Sequence, residues 1–84
     1  QCISTQRIIV ETPIFDSFLE KFVNGAKRLK VGDPSLSDTD LGPVVNLRAA
    51  ARIKSLLDDA RARGCSIVTA GETEGCVIHP TIVI

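Results

Sequence analysis

The sequence predicts an α/β layer fold with elements in the order strand, helix, helix, strand, strand. Two stretches, residues 13–30 and 47–63, repeat apolar side chains at three- and four-residue steps, which is the period of a helix that buries one face. Short runs rich in β-branched residues, 7–11, 65–69 and 76–84, are interrupted or bounded by proline and glycine, as strands are. Strands alternating with amphipathic helices pack as layers around a sheet, and a parallel sheet is the expected core.

Arg7-Ile8-Ile9-Val10-Glu11 reads as a buried strand that stops at Thr12-Pro13. The next element is a helix with Thr12 as N-cap, Pro13 at the first helical position, where a missing N–H costs nothing, and Asp16 as negative charge in the first turn. Ile14, Phe15, Phe18, Leu19, Phe22, Val23, Ala26 and Leu29 make its apolar face. Lys27, Arg28 and Lys30 suit the negative end of the helix dipole, and Gly32 is the expected stop.

Residues 33–45, rich in Asp, Ser, Pro and Gly, read as an ordered surface crossing. Asn46 is placed to cap a second helix, whose apolar positions are Ala49, Ala50, Ile53, Leu56, Leu57 and Ala60. Arg61 and Arg63 fall near its end and Gly64 is the expected terminator. A strand over 65–69, a turn-rich stretch over 70–75 and extended pieces over 76–79 and 81–84, on either side of Pro80, complete the chain.

Composition narrows the function classes. Apolar residues make up 44% and charged residues 24% of the chain, with a mean hydropathy of +0.20, values of a chain that folds around a core. It has no Trp, Tyr or Met and only three Phe, so few large side chains are available for a core of its own. The start at Gln1-Cys2 and the apolar end at Ile84 read as cuts within a longer protein, and the packing is expected to be completed by sequence outside residues 1–84. Ten basic and ten acidic residues cancel, which removes the electrostatic case for nucleic acid or an anionic membrane. No apolar run approaches the roughly 18 residues of a membrane span, and the first residues lack signal-peptide order, so the protein is read as soluble. Three cysteines, an odd set without C-x-x-C spacing, fit a reducing, cytoplasmic setting, and with His79 as the one histidine no zinc site is expected.

Cys2, in the small polar run Gln1-Cys2-Ile3-Ser4-Thr5, is the candidate nucleophile. Near a helix N-terminus, backbone amides would lower its thiol pKa and cradle an oxyanion, which suits acyl chemistry. Cys65 and Cys76, inside apolar strand patterns, read as core. Gly71, Gly75 and Gly42-Pro43 match neither the Rossmann nor the P-loop glycine pattern and read as turns. Asp38, Asp40, Asp58, Asp59, Glu72 and Glu74 read as solvated, with Asp59 and Arg63 spaced to pair on the second helix. His79, before Pro80 in an apolar run, reads as structural. On the residues alone, a non-catalytic α/β module with a buried Cys2 is the alternative to an enzyme.

The order of features resembles the aldehyde dehydrogenase superfamily from its catalytic cysteine onward. The family carries a Gly-Gln-x-Cys motif, in which Gln1 takes the variable place and Cys2 the nucleophile's. The resemblance continues through Arg7-Ile8-Ile9-Val10, Phe18 in a helix, Leu29-Lys30-Val31-Gly32-Asp33-Pro34, Thr39-Asp40-Leu41-Gly42-Pro43-Val44-Val45, the stretch Asp59-Ala60 to Gly64, and Pro80-Thr81-Ile82. Two departures, Ala70-Gly71 for a common Gly-Gly and Cys76-Val77-Ile78 where an aromatic is common, bear on packing. The run Cys2-Ile3-Ser4-Thr5-Gln6-Arg7 looks like the branch of lactaldehyde-type and phosphonoacetaldehyde-type dehydrogenases.

The resemblance implies that residues 1–84 are a segment of a three-layer α/β catalytic domain, without the nucleotide-binding and oligomerisation parts. It implies oxidation of a small-molecule aldehyde to an acid with NAD or NADP: Cys2 attacks the carbonyl, the thiohemiacetal gives up hydride, and the thioester is hydrolysed or transferred. The amide of Cys2 would help to bind the oxyanion. The family's oxyanion-hole asparagine, its general-base glutamate and its nucleotide-binding domain precede the cysteine, and its ribose-contacting glutamate follows beyond Ile84. No cofactor-binding residue is therefore assigned in this stretch, although Arg52 lies on a helix that passes near the cofactor in some members. The parent is expected to be a homo-oligomer and this segment inactive alone.

Overall fold

A computed structural model describes residues 3–84 of the chain. Its elements are helix α1 (Thr12–Lys27), helix α2 (Leu47–Ala62), strand β1 (Ile67–Thr69) and strand β2 (Thr81–Val83), an α/β partial domain. The expected first strand, residues 7–11, enters no hydrogen-bonded ladder with any other described segment. Nor is it buried, as the sequence suggested: Ile8 is 49% and Ile9 100% exposed, and within residues 7–11 Val10 alone is half-buried, because no other described layer covers this segment.

Helix α1 begins one residue earlier than its sequence signals suggest. Glu11 is the N-cap, with extended backbone (φ −62°, ψ 139°) and no side-chain cap bond, and Thr12 is already helical. Pro13 stays within the first two helical positions, where it removes no intrahelical bond, but Asp16 falls beyond the first turn. At the other end only Lys27 of the three expected cations lies in the last turn. The helix closes through bonds to the third preceding carbonyl, Arg28 N–H to Gly25 O (3.2 Å) and Leu29 N–H to Ala26 O (3.3 Å), a tightening that ends a helix without a left-handed glycine. Gly32 is therefore not its stop; its N–H donates to Leu41 O at 3.0 Å and helps to close the crossing between the helices.

Helix α2 has both expected ends. Asn46 Oδ1 accepts from Ala49 N–H at 2.8 Å, satisfying one of the orphan donors of the first turn. At the C-terminus Gly64 adopts φ +89°, its N–H donates to Arg61 O, and Cys65 N–H donates to Ala60 O, each at 3.0 Å. This double bond pattern is the Schellman closure, which needs the left-handed conformation that glycine adopts without a Cβ clash. It also moves Cys65 out of the strand and into the helix end.

The two strands run antiparallel, with Ile67 opposite Val83, Val68 opposite Ile82 and Thr69 opposite Thr81. Ser66 and Ile84 exchange bonds of 3.0 and 2.9 Å beyond the ladder, and Ala70 N–H donates to Pro80 O at 3.0 Å. The parallel pairing expected from the sequence is thus corrected. A parallel crossover requires a dozen or more residues, usually a helix, whereas residues 70–80 hold only turns and the small Glu74–Val77 bridge. Residues 76–79 form no named strand; Cys76 O instead accepts from Val44 N–H at 2.8 Å, tying the crossing to the sheet's approach.

Burial is thin. Ala50 is the one buried residue among those described, at 8% exposure, while Ile3, Val45 and Leu47 remain largely exposed. Phe18 and Phe22 stack with centroids 5.5 Å apart, yet Phe22 keeps 40% of its surface open. The elements have the patterning of a packed domain without its closed core.

Candidate functional site

Cys2, the candidate nucleophile, lies outside the described residues. The chain that leads away from it is described. Thr5, Gln6, Ile8 and Val10 line one apolar groove of about 640 Å³ together with the aromatic face of α1, including Phe18, and with Ile82 of β2. Gln6, Ile8 and Val10 share one side of an extended segment because side chains alternate along such backbone. Residues 5–10, the aromatic face of α1 and β2 thus border one groove, which brings the two ends of the described chain near each other.

The other candidates hold the fold. His79 packs its imidazole over Gly71: a Cβ at Gly71 would stand 2.9 Å from both Cγ and Nδ1 of the ring. The Thr81 hydroxyl donates to His79 O at 2.9 Å, and the Thr69 hydroxyl donates to Gly71 O at 2.8 Å, so the strand ends and the histidine turn form one small polar knot. Nothing in the sequence except the glycine itself signals this close approach. Cys65 and Cys76 are free and half-buried, as structural thiols.

All six acidic candidates are exposed; Asp38, Asp40, Asp58 and Asp59 are engaged by neighbouring groups, and Glu72 and Glu74 lie on the exposed turn after β1. Asp38 pairs with Lys30 Nζ at 3.1 Å, and Asp40 accepts from the Lys30 backbone N–H at 2.8 Å. Asp33 accepts from Ser35 N–H at 2.8 Å; this backbone hydrogen bond, with a further one from the Ser35 side chain, holds its carboxyl below the usual range. On α2, Asp58 takes Lys54 at 2.6 Å and Arg61 at 3.3 Å, and the hydrogen bond from Lys54 lowers its pKa. The expected Asp59–Arg63 pair forms at 2.9 Å. Arg52 is exposed on α2 and enters no ion pair among the described residues. Among the described residues no three His, Cys, Asp or Glu side chains converge as metal ligands, and no helix is long and apolar enough to cross a membrane.

The left-handed glycines, Gly64 and Gly75, close a helix and a turn. Neither opens a helix after a strand, as a dinucleotide cradle requires. The described residues thus form a scaffold, with no assembled catalytic or cofactor site among them. A family model described as the aldehyde dehydrogenase family matches residues 1–84. The chain belongs to the aldehyde dehydrogenase family.

Its aldehyde dehydrogenase relatives agree over nearly all of its length. A vanillin dehydrogenase of Pseudomonas fluorescens is 38% identical over 81 residues, covering 96% of this chain and 17% of the relative. A salicylaldehyde dehydrogenase of Pseudomonas putida is 40% identical over 82 residues, again 96% of this chain and 17% of the relative. Among solved structures, an NAD-dependent benzaldehyde dehydrogenase from Corynebacterium glutamicum superposes with a TM-score of 0.91 at 37% identity, covering 98% of this chain and 18% of that one. The chain thus spans about one sixth of the length of the aldehyde dehydrogenases it matches, 17% for the curated relatives.

Proposed function

We propose that this stretch works as part of the catalytic domain of a longer, NAD(P)+-dependent aldehyde dehydrogenase in which Cys2 is the nucleophile. The observation that carries the reading is the match of the family model to residues 1–84, a span that includes Cys2. In this reading the Cys2 thiolate attacks the aldehyde carbon, a C–S bond forms, and the carbonyl oxygen takes up negative charge that the Cys2 amide helps to hold. Loss of hydride from that carbon leaves a thioester, which water or another acceptor cleaves to return the thiolate.

In this reading NAD or NADP is held by other parts of the parent, where its chemistry is to accept hydride. The same holds for the base that activates water. A segment without either does not turn over alone, and its thin burial supports dependence on the remainder of the domain.

For substrate, the reading commits to the aldehyde class. Relatives are named for salicylaldehyde at 40% identity and for lactaldehyde and sulfoacetaldehyde at 33%, so aromatic aldehydes lead the panel to be tested and small aliphatic ones follow. Mass spectrometry of the full-length protein, quenched in acid during turnover, tests the covalent step. The proposal expects the acyl mass on the peptide that contains Cys2; the same mass on a peptide containing Cys65 or Cys76 contradicts it.

A further inference from the structure

We draw no further inference here: the strongest candidate, the apolar groove between the aromatic face of α1, the extended segment 5–10 and β2, is an unpartnered face, and nothing in the structure shows what covers it.

Discussion

Gly71 and His79 are in such close contact that the imidazole occupies the space of a side chain at position 71, with the Cγ and Nδ1 atoms 2.9 Å from an ideal Cβ. The backbone of Gly71 is not left-handed, so the requirement for glycine here is steric. Gly71→Ala therefore forces the ring or the turn to move, at a cost of about 1–3 kcal/mol by analogy with overpacked cores. Urea unfolding of the full-length protein measures it. In a His79→Ala background the same substitution should cost less than half as much; equal costs in both backgrounds would rule out the imidazole as the cause.

The ends of α2 supply a second test. Asn46→Ala removes the acceptor for Ala49 N–H and should destabilise by about 1 kcal/mol, whereas Asn46→Asp keeps an acceptor and adds favourable charge at the dipole's positive end. Gly64→Ala puts a Cβ on a residue at φ +89° and should cost about 1 kcal/mol as well. Because the two sites cap opposite ends of the helix and share no partner, the double variant should show the sum. Midpoint shifts in urea, with unchanged slopes, check all three.

Asp58 tests the electrostatics of the exposed face. Its folded pKa is lowered from the ordinary 3.8, with the hydrogen bond from Lys54 as the largest cause. A carboxyl of depressed pKa contributes stability that is present above its unfolded value and is lost as pH falls through the folded one. The carboxyl carbon of Asp58, followed by NMR, should titrate below 3.8 and move back up in Lys54→Ala. Because the group is exposed, salt should narrow the difference.

The thin burial makes a prediction for the 84-residue chain expressed alone. With Ala50 as the one buried residue among those described, the apolar area removed from water is too small to offset the entropy of ordering the chain. Thermal melts followed by circular dichroism should show residual helix and a broad, uncooperative decline. A sharp transition, coincident by fluorescence of a reporter dye and by circular dichroism, would show that the segment folds without the rest of its domain.

What could be read from the residues follows the range of the interactions. Helix α2 was legible at both ends because Asn46 and Gly64 act on backbone groups within a few residues of themselves. The Asp59–Arg63 pair is equally local. Helix α1 was legible in its apolar face but not in its ends: Thr12 carries the right side chain for a cap, yet Glu11 is the last residue with extended backbone, and Gly32 bonds to Leu41 across the chain. Strand pairing was the least legible. Whether Ile8, Ile9 and Val10 join a ladder depends on a neighbour that local pattern does not specify, and the antiparallel register of Ile67 with Val83 follows from the turns between them. Cys2 is proposed as the nucleophile through the resemblance of its surroundings to a family motif, since a single thiol among small polar residues carries no geometric signal of its own.

The most direct test of the central reading is NAD(P)H formation by the full-length protein on a panel of aromatic and small aliphatic aldehydes, beside Cys2→Ala. The account predicts aldehyde-dependent reduction of the nucleotide by the wild type and loss of at least two orders of magnitude in kcat in the variant, about 3 kcal/mol of barrier. A folded Cys2→Ala protein that reduces nucleotide at the wild-type rate, or a folded wild type inert toward every aldehyde in the panel, would contradict it.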